Sequence, residues 1–177
     1  MVGPMSSVGV LAVQGDFIEH VHMLQRLGRP SREVRLPEDL GNVDGLIIPG
    51  GESTTIGKLA NRFGLTDLIR ERAMKGMPLW GTCAGLIFMA KNLSAHDQLG
   101  LNLMDVSVER NAFGSQLDSF ESDLLVGALG EEPFHAVFIR APVIDRVGDG
   151  VDVIATLADG RIVAAEQKNM LGTAFHP

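Results

Sequence analysis

A single cysteine, Cys83, stands in the stretch Leu79-Trp80-Gly81-Thr82-Cys83-Ala84-Gly85-Leu86, where an apolar run meets a helix-like segment. The pattern Gly-x-Cys-x-Gly suits a nucleophile on a sharp strand-to-helix turn. Small neighbours relieve the crowded backbone, and the turn pushes the thiol into a cleft toward which helix N–H groups point. The partial positive charge of a helix start favours thiolate, so a lowered thiol pKa is expected. The plain alternative is a buried structural thiol; the paired glycines favour the nucleophile.

A cysteine nucleophile usually works with a histidine base. The candidates are His20, His22, His96, His135 and His176. His20 and His22 fall in a surface-helix pattern, His96 in a polar loop, and His135 at the start of a strand. His176 follows the apolar run Leu171 to Phe175, at the edge where catalytic groups gather in open α/β sheets, and is preferred. One cysteine and scattered histidines give no metal-ligand spacing, so no metal site is expected.

Pro49-Gly50-Gly51-Glu52-Ser53 follows another apolar strand. Gly50 and Gly51 let the backbone approach a ligand closely. Their N–H groups, with that of Ala84, would stabilise an oxyanion. An ordinary turn with Ser53 as helix cap is the plain alternative. The full phosphate-loop and dinucleotide fingerprints are absent. Arg110 and Arg140 each follow an apolar strand, where an arginine can hold a carboxylate by two hydrogen bonds. For each, a solvated surface charge is the alternative.

The elements that must position these groups are legible from periodicity. Val8 to Gln14, Glu33 to Leu36, Gly45 to Pro49 and Pro78 to Thr82 read as short strands. Phe17 to Leu27, Ser53 to Phe63, Thr66 to Lys75 and Ala84 to Leu93 read as helices, with Gly28 and Gly76 as stops and Thr66 as a cap. That alternation predicts a parallel sheet with helices on both faces. The second half reads as strands at Val106–Glu109, Leu124–Val126, His135–Arg140, Val151–Leu157, Ile162–Gln167 and Leu171–Phe175, with a hairpin turn at Asp159-Gly160. The expected fold class is α/β, a single-domain three-layer sandwich with a mostly parallel central sheet and a β-rich second half. Residues 1–7 read as a tail and 8–177 as the domain.

The totals narrow the function. A composition of 45% hydrophobic and 21% charged residues fits a folded globular domain, which 177 residues can build around one core. A net charge of -7 opposes non-specific nucleic-acid binding, which needs a basic face. No apolar run approaches the ~20 residues that span a bilayer, and no secretory signal is apparent. One cysteine offers no internal disulfide, so a cytoplasmic setting is expected.

Together the segments AVQGDFIEH, IIPGGEST, WGTCAGL, ERNAFGSQ, FIRAP and TAFHP resemble the class I, triad-type glutamine amidotransferases. Within them the chain is most similar to the glutaminase subunits of pyridoxal 5'-phosphate synthases, over nearly its whole length. The resemblance implies that Cys83 attacks the side-chain amide of L-glutamine, that His176 moves the protons, and that the Gly50-Gly51 loop forms part of the oxyanion hole. It implies that Glu52, Arg110, Ile139 and Arg140 hold glutamine. It also implies a (β/α)8 synthase subunit as partner in a hetero-oligomer, docked partly on Gln14 to His20, with no cofactor on this chain. The family pattern continues after His-Pro with a glutamate and a final helix. This sequence stops at Pro177, so a Cys83–His176 dyad without that helix is expected, leaving apolar sheet surface exposed. Ser115 stands where a basic residue is common in the family. Two other readings stay open: the glutaminase of another synthase, such as that for imidazole glycerol phosphate, and a catalytically silent docking subunit.

Overall fold

The computed structural model describes residues 6–93, 99–113 and 119–176. The first half runs β1 (Val8–Leu11), α1 (Phe17–Arg26), β2 (Ser31–Val34), α2 (Pro37–Leu40), β3 (Gly45–Ile48), α3 (Ser53–Arg62), α4 (Leu65–Met74), β4 (Leu79–Thr82) and α5 (Ala84–Met89). Then follow β5 (Ala90–Leu93), β6 (Met104–Glu109), β7 (Ser119–Leu124), β8 (Phe134–Ile139), β9 (Val143–Val147), β10 (Asp152–Thr156), β11 (Ile162–Gln167) and β12 (Met170–Thr173). Ten strands form one sheet of order β2-β1-β3-β4-β12-β11-β9-β6-β5, with β10 paired on β11. β7 and β8 form a separate hairpin.

The parallel part is β2, β1, β3, β4 and β12. Strands here alternate their side chains between two faces, and each face has its own cover. On one face Val10 and Ile47 pack with Val21 of α1, joined by Phe17, Leu24 and Trp80. On the other, Leu11, Leu46 and Ile48 join Ile56 of α3, Ile69 of α4 and Phe88 of α5 in the main core. This is the expected three-layer arrangement. α1 owes its inward stripe to Phe17, Val21 and Leu24 at helical spacing. It ends at Gly28, whose φ of +64° suits glycine.

The last strand decides the site. β12 returns from the antiparallel region and inserts beside β4 in parallel register, Leu171 opposite Trp80 and Thr173 opposite Thr82. The two chain segments that follow, starting at Cys83 and at Ala174, therefore emerge side by side at the C-terminal edge of the sheet, where open α/β sheets place their ligands.

Several local expectations are corrected. The helix expected over Ala84–Leu93 stops at Met89, and Ala90–Leu93 pairs in parallel with β6 instead. The strand placed at Leu124–Val126 lies earlier, at Ser119–Leu124, pairing with β8 along its length. Tertiary pairing overrides local propensity in both. α2 and β9 were not expected. α2 starts at a proline, and Asp39 Oδ2 accepts hydrogen bonds from the backbone N–H groups of Arg35 and Leu36, both at 3.0 Å. Thr66 does not cap α4: the cap is Gly64, at φ +73°, and the Thr66 hydroxyl lies buried without a hydrogen-bond partner. The Asp159-Gly160 turn does join two antiparallel strands, β10 and β11. Among the described residues, no helix is long and apolar enough to cross a membrane.

Candidate active site

Cys83 sits at the N-cap of α5 with φ +49° and ψ −105°, a conformation that a side chain rarely adopts. Its flanking glycines explain how the turn is reached. A Cβ on Gly85 would collide with the carbonyl of Ile48 in β3, and one on Gly81 would come within 2.6 Å of Met89 Sδ and the Gly85 carbonyl. The elbow therefore closes only because both positions lack side chains. The Cys83 N–H donates to Thr173 O at 2.8 Å, tying the elbow to β12. Its Sγ points at Ile139 O, 4.0 Å away.

The thiol is not lowered as the helix start suggested. Burial pushes Cys83 up to about 11; the Ala84 N–H bond and the Arg140 charge work the other way, and Asp16 adds to the rise. α5 has only six residues, so it contributes little dipole against the loss of water around a side chain only 8% exposed.

His176 follows β12 and forms an antiparallel bridge with Val137 of β8, its N–H donating to Val137 O at 2.8 Å. The hairpin β7–β8 thus holds the backbone of the candidate base at Val137 and, two residues on, offers the Ile139 carbonyl to the thiol. The imidazole Nδ1 lies 3.8 Å from Asp16 Oδ2. Burial lowers the pKa of His176, against the raising effect of the Asp16 and Glu19 charges.

Gly50 abuts the His176 ring: a Cβ there would overlap Cε1. The Gly50 carbonyl accepts from the Asp16 N–H at 3.0 Å. Gly51, at φ +149°, leaves room for Gln14, whose Oε1 accepts from the Glu52 N–H at 2.9 Å. The loop 14–16 is thus seated on the loop 50–52, a link that the spacing of residues did not reveal. Glu52, not Ser53, caps α3: its carboxylate accepts from the N–H groups of Thr54 and Thr55 and from the Thr55 hydroxyl. Partial burial works to raise this carboxyl, yet the hydrogen bonds from Thr55 and Thr54 outweigh it and hold it at about 2. Arg110 reaches Glu52 Oε1 at 3.6 Å. Arg140 and Ile139 are exposed at the end of β8, Arg140 with φ +43°.

The other histidines separate clearly. His22 is exposed on α1. His135 faces solvent on the hairpin, between Asp123 Oδ1 at 2.9 Å and Glu121 Oε2 at 3.1 Å. His96 and Ser115 lie outside the described residues. His20 was read as a surface residue but is buried, 7% exposed. Its position three residues after Phe17 puts it on the apolar stripe of α1, which was the available signal. Asp16 was also missed as a site residue. An apolar hollow of about 620 Å³ opens at the opposite, N-terminal ends of the strands, against Val8, Leu24, Ile47, Trp80 and Leu171; it contains none of the candidate residues. Among the described residues, no group of three His, Cys, Asp or Glu is arranged to hold a metal ion.

Comparison with known proteins points the same way as this geometry. The profile of the SNO glutamine amidotransferase family matches residues 10–177. The pyridoxal 5'-phosphate synthase subunit PdxT of Herpetosiphon aurantiacus is 61% identical over 174 residues, covering 97% of this chain and 92% of the relative. That of Clavibacter sepedonicus is 54% identical, covering 99% and 84%. A crystal structure of a glutamine amidotransferase superposes with a TM-score of 0.91 at 51% identity, covering 96% of this chain and 89% of that one. With the elbow cysteine, the strand-end histidine and a match along almost its whole length, the chain belongs to the SNO glutamine amidotransferase family.

Proposed function

We propose that this chain hydrolyses L-glutamine to L-glutamate and ammonia with Cys83 as nucleophile and His176 as base, and that the ammonia passes to the synthase subunit of a pyridoxal 5'-phosphate synthase. The observation that carries the reading is the register of β4 and β12. It sends Cys83 and His176 out of neighbouring parallel strands at one edge, each followed or flanked by a backbone constraint.

The chemistry follows from the groups present. At neutral pH the buried thiol is protonated, so its proton moves to His176 as Sγ attacks the amide carbon. The carbonyl oxygen gains charge, which N–H groups of the Gly50-Gly51 loop and Ala84 would stabilise. The imidazolium returns the proton to the leaving nitrogen, and ammonia departs from a γ-glutamyl thioester. His176 then deprotonates water, which cleaves the thioester to glutamate and restores the thiol. Arg110 and Arg140 supply positive charge for the substrate's α-carboxylate, Glu52 negative charge for its α-ammonium, and Ile139 a wall and a carbonyl. Asp16, facing His176, stabilises the imidazolium formed in each half-reaction.

The relatives' name, a subunit of pyridoxal 5'-phosphate synthase, supports a synthase partner in a hetero-oligomer. The (β/α)8 fold of that partner and its contact with Gln14 to His20 rest on the family resemblance alone. The single cysteine fits a cytoplasmic enzyme. Glutamate release, measured with and without the synthase subunit, tests the reading. Stimulation by the partner and its loss in Cys83→Ala are expected; unchanged release in Cys83→Ala would refute the nucleophile.

A further inference from the structure

We propose that His20 is a positioning residue for glutamine hydrolysis, its buried imidazole fixing the strand end that presents Cys83 and bracing the strand that presents His176. This rests on the reading of Cys83 and His176 just given. His20 projects from α1 onto β4, where its ring meets Trp80 edge-on, with centroids 5.7 Å apart and planes at 84°. Its Nε2 lies 3.4 Å from Thr82 Oγ1, a hydroxyl on a fully buried residue immediately before Cys83. Trp80 and Thr82 alternate along β4, so both face α1. From Trp80 the contact continues across the sheet. Trp80 Nε1 donates to Thr173 Oγ1 at 3.2 Å, and Thr173 Oγ1 donates to Phe175 O at 3.4 Å, the residue before His176. One imidazole on α1 is therefore linked to the residue preceding the nucleophile and, through Trp80, to the residue preceding the base.

An aliphatic side chain would fill this space with less desolvation cost, so the imidazole needs a reason. The elbow supplies one. A cysteine at φ +49° persists only where its surroundings over-determine it, and the Thr82 side chain is the last anchor before that turn. The charged and titratable groups facing His20 are Asp16 at the start of its own helix, Glu19 beside it, and His176 from the C-terminal strand. Burial and His176 lower the pKa of His20, while Asp16 and Glu19 raise it. A neutral His20 anchors Thr82 without opposing the imidazolium that His176 forms during attack.

The test measures glutamine hydrolysis in the complex with the synthase subunit. His20→Phe keeps the ring against Trp80 but deletes the hydrogen bond; it should lower kcat about tenfold and leave KM within about twofold. His20→Gln restores a polar atom near the Nε2 position and should recover at least about a third of the wild-type kcat. Thr82→Val deletes the other partner with almost no change of shape, and stands in should His20→Phe fail to fold. It should also lower kcat, and the double variant should be no more than about twofold slower than either single one, because both remove the same bond. Wild-type kcat in His20→Phe or in Thr82→Val, full additivity in the double variant, or His20→Gln as slow as His20→Phe would each overturn the proposal. Cys83→Ala separates the two levels. If it still hydrolyses glutamine, the nucleophile assignment fails; if it is inactive while His20→Phe is fully active, only the role of His20 fails.

Discussion

Asp16 Oδ2 lies 3.8 Å from His176 Nδ1, so the residue opening α1 faces the histidine that follows β12. The separation is too long for a strong hydrogen bond and acts through charge. Asp16 is also bonded through its N–H to Gly50 O, so the same loop holds the acidic group and the candidate oxyanion loop. Burial lowers the pKa of His176, and the Asp16 charge opposes that fall. Asp16→Asn should therefore move the acid limb of the kcat/KM profile to lower pH. It should also reduce kcat about three- to tenfold, because the imidazolium loses its counter-charge. A pH–rate profile of the partner-activated enzyme reads both effects, and an unmoved acid limb would show that Asp16 does not act on the base.

Cys83 makes a second, opposite titration visible. With its pKa raised to about 11 by burial, the resting thiol keeps its proton at neutral pH. Alkylation of the isolated chain by iodoacetamide reports on this group alone, since the chain has one cysteine. The rate should climb about tenfold per pH unit from pH 7 to about 10. A plateau reached below pH 8 would reveal a lowered thiol and overturn the concerted proton transfer.

How far the sequence revealed this site depended on which forces acted locally. Gly81, Cys83 and Gly85 were readable because a tight elbow forbids side chains at fixed offsets, whatever surrounds it. The helical stripe of α1 and the strands at Gly45–Ile48 and Leu79–Thr82 were readable because each buries an apolar face. What could not be read was set by distant partners. Ala90–Leu93 becomes a strand because β6 lies beside it, and the helix pattern gave no hint of that. Glu52 takes the cap that the plain alternative had given to Ser53, because its longer side chain reaches the Thr54 and Thr55 N–H groups. The thiol's direction of shift was misjudged for a similar reason: motif logic counted the helix start and had no measure of burial.

Glu52 should serve stability as well as substrate. Glu52→Ala removes the cap of α3 and should cost about 1 kcal/mol. For a chain of this size that corresponds to a fall of roughly 3 °C in Tm. Because the carboxyl is held at about 2, its contribution is present above the ordinary carboxylate range and is lost as pH falls toward that value. The group is half exposed, so the pH effect is small beside the loss of the cap. In the partner complex, KM for glutamine should rise about tenfold as the Arg110–Glu52 pair is lost. A lower Tm with unchanged KM would leave Glu52 a cap only.

A buried histidine, His20, and a half-buried one, His176, give the fold an acid-sensitive side. The pKa values of His20 and His176 both lie below the ordinary histidine value, so the unfolded chain binds more protons than the native one as pH falls through about 6.5. Stability should therefore be full above that pH and fall progressively below it. Thermal melts between pH 7.5 and 5.5 should show a declining Tm, and His20→Gln should flatten the decline. An equal slope in wild type and His20→Gln would mean that His20 is not desolvated in solution.

Gly50 offers the sharpest separation of site from scaffold. An added Cβ there would overlap His176 Cε1 and come within 3.3 Å of Asp16 Oδ2, so the ring or the loop must move. A displacement of about 1 Å at the base should cost roughly 100-fold in kcat. Gly28→Ala is the control. Its φ of +64° strains any side chain, but nothing lies within 4 Å of its Cβ, and it is remote from the site. It should lower stability by about 1 kcal/mol with kcat unchanged. Gly50→Ala should show the reverse, a near-normal melt with almost no glutamate release. Appreciable turnover in Gly50→Ala would mean that the close fit of this loop against His176 is not needed for proton transfer.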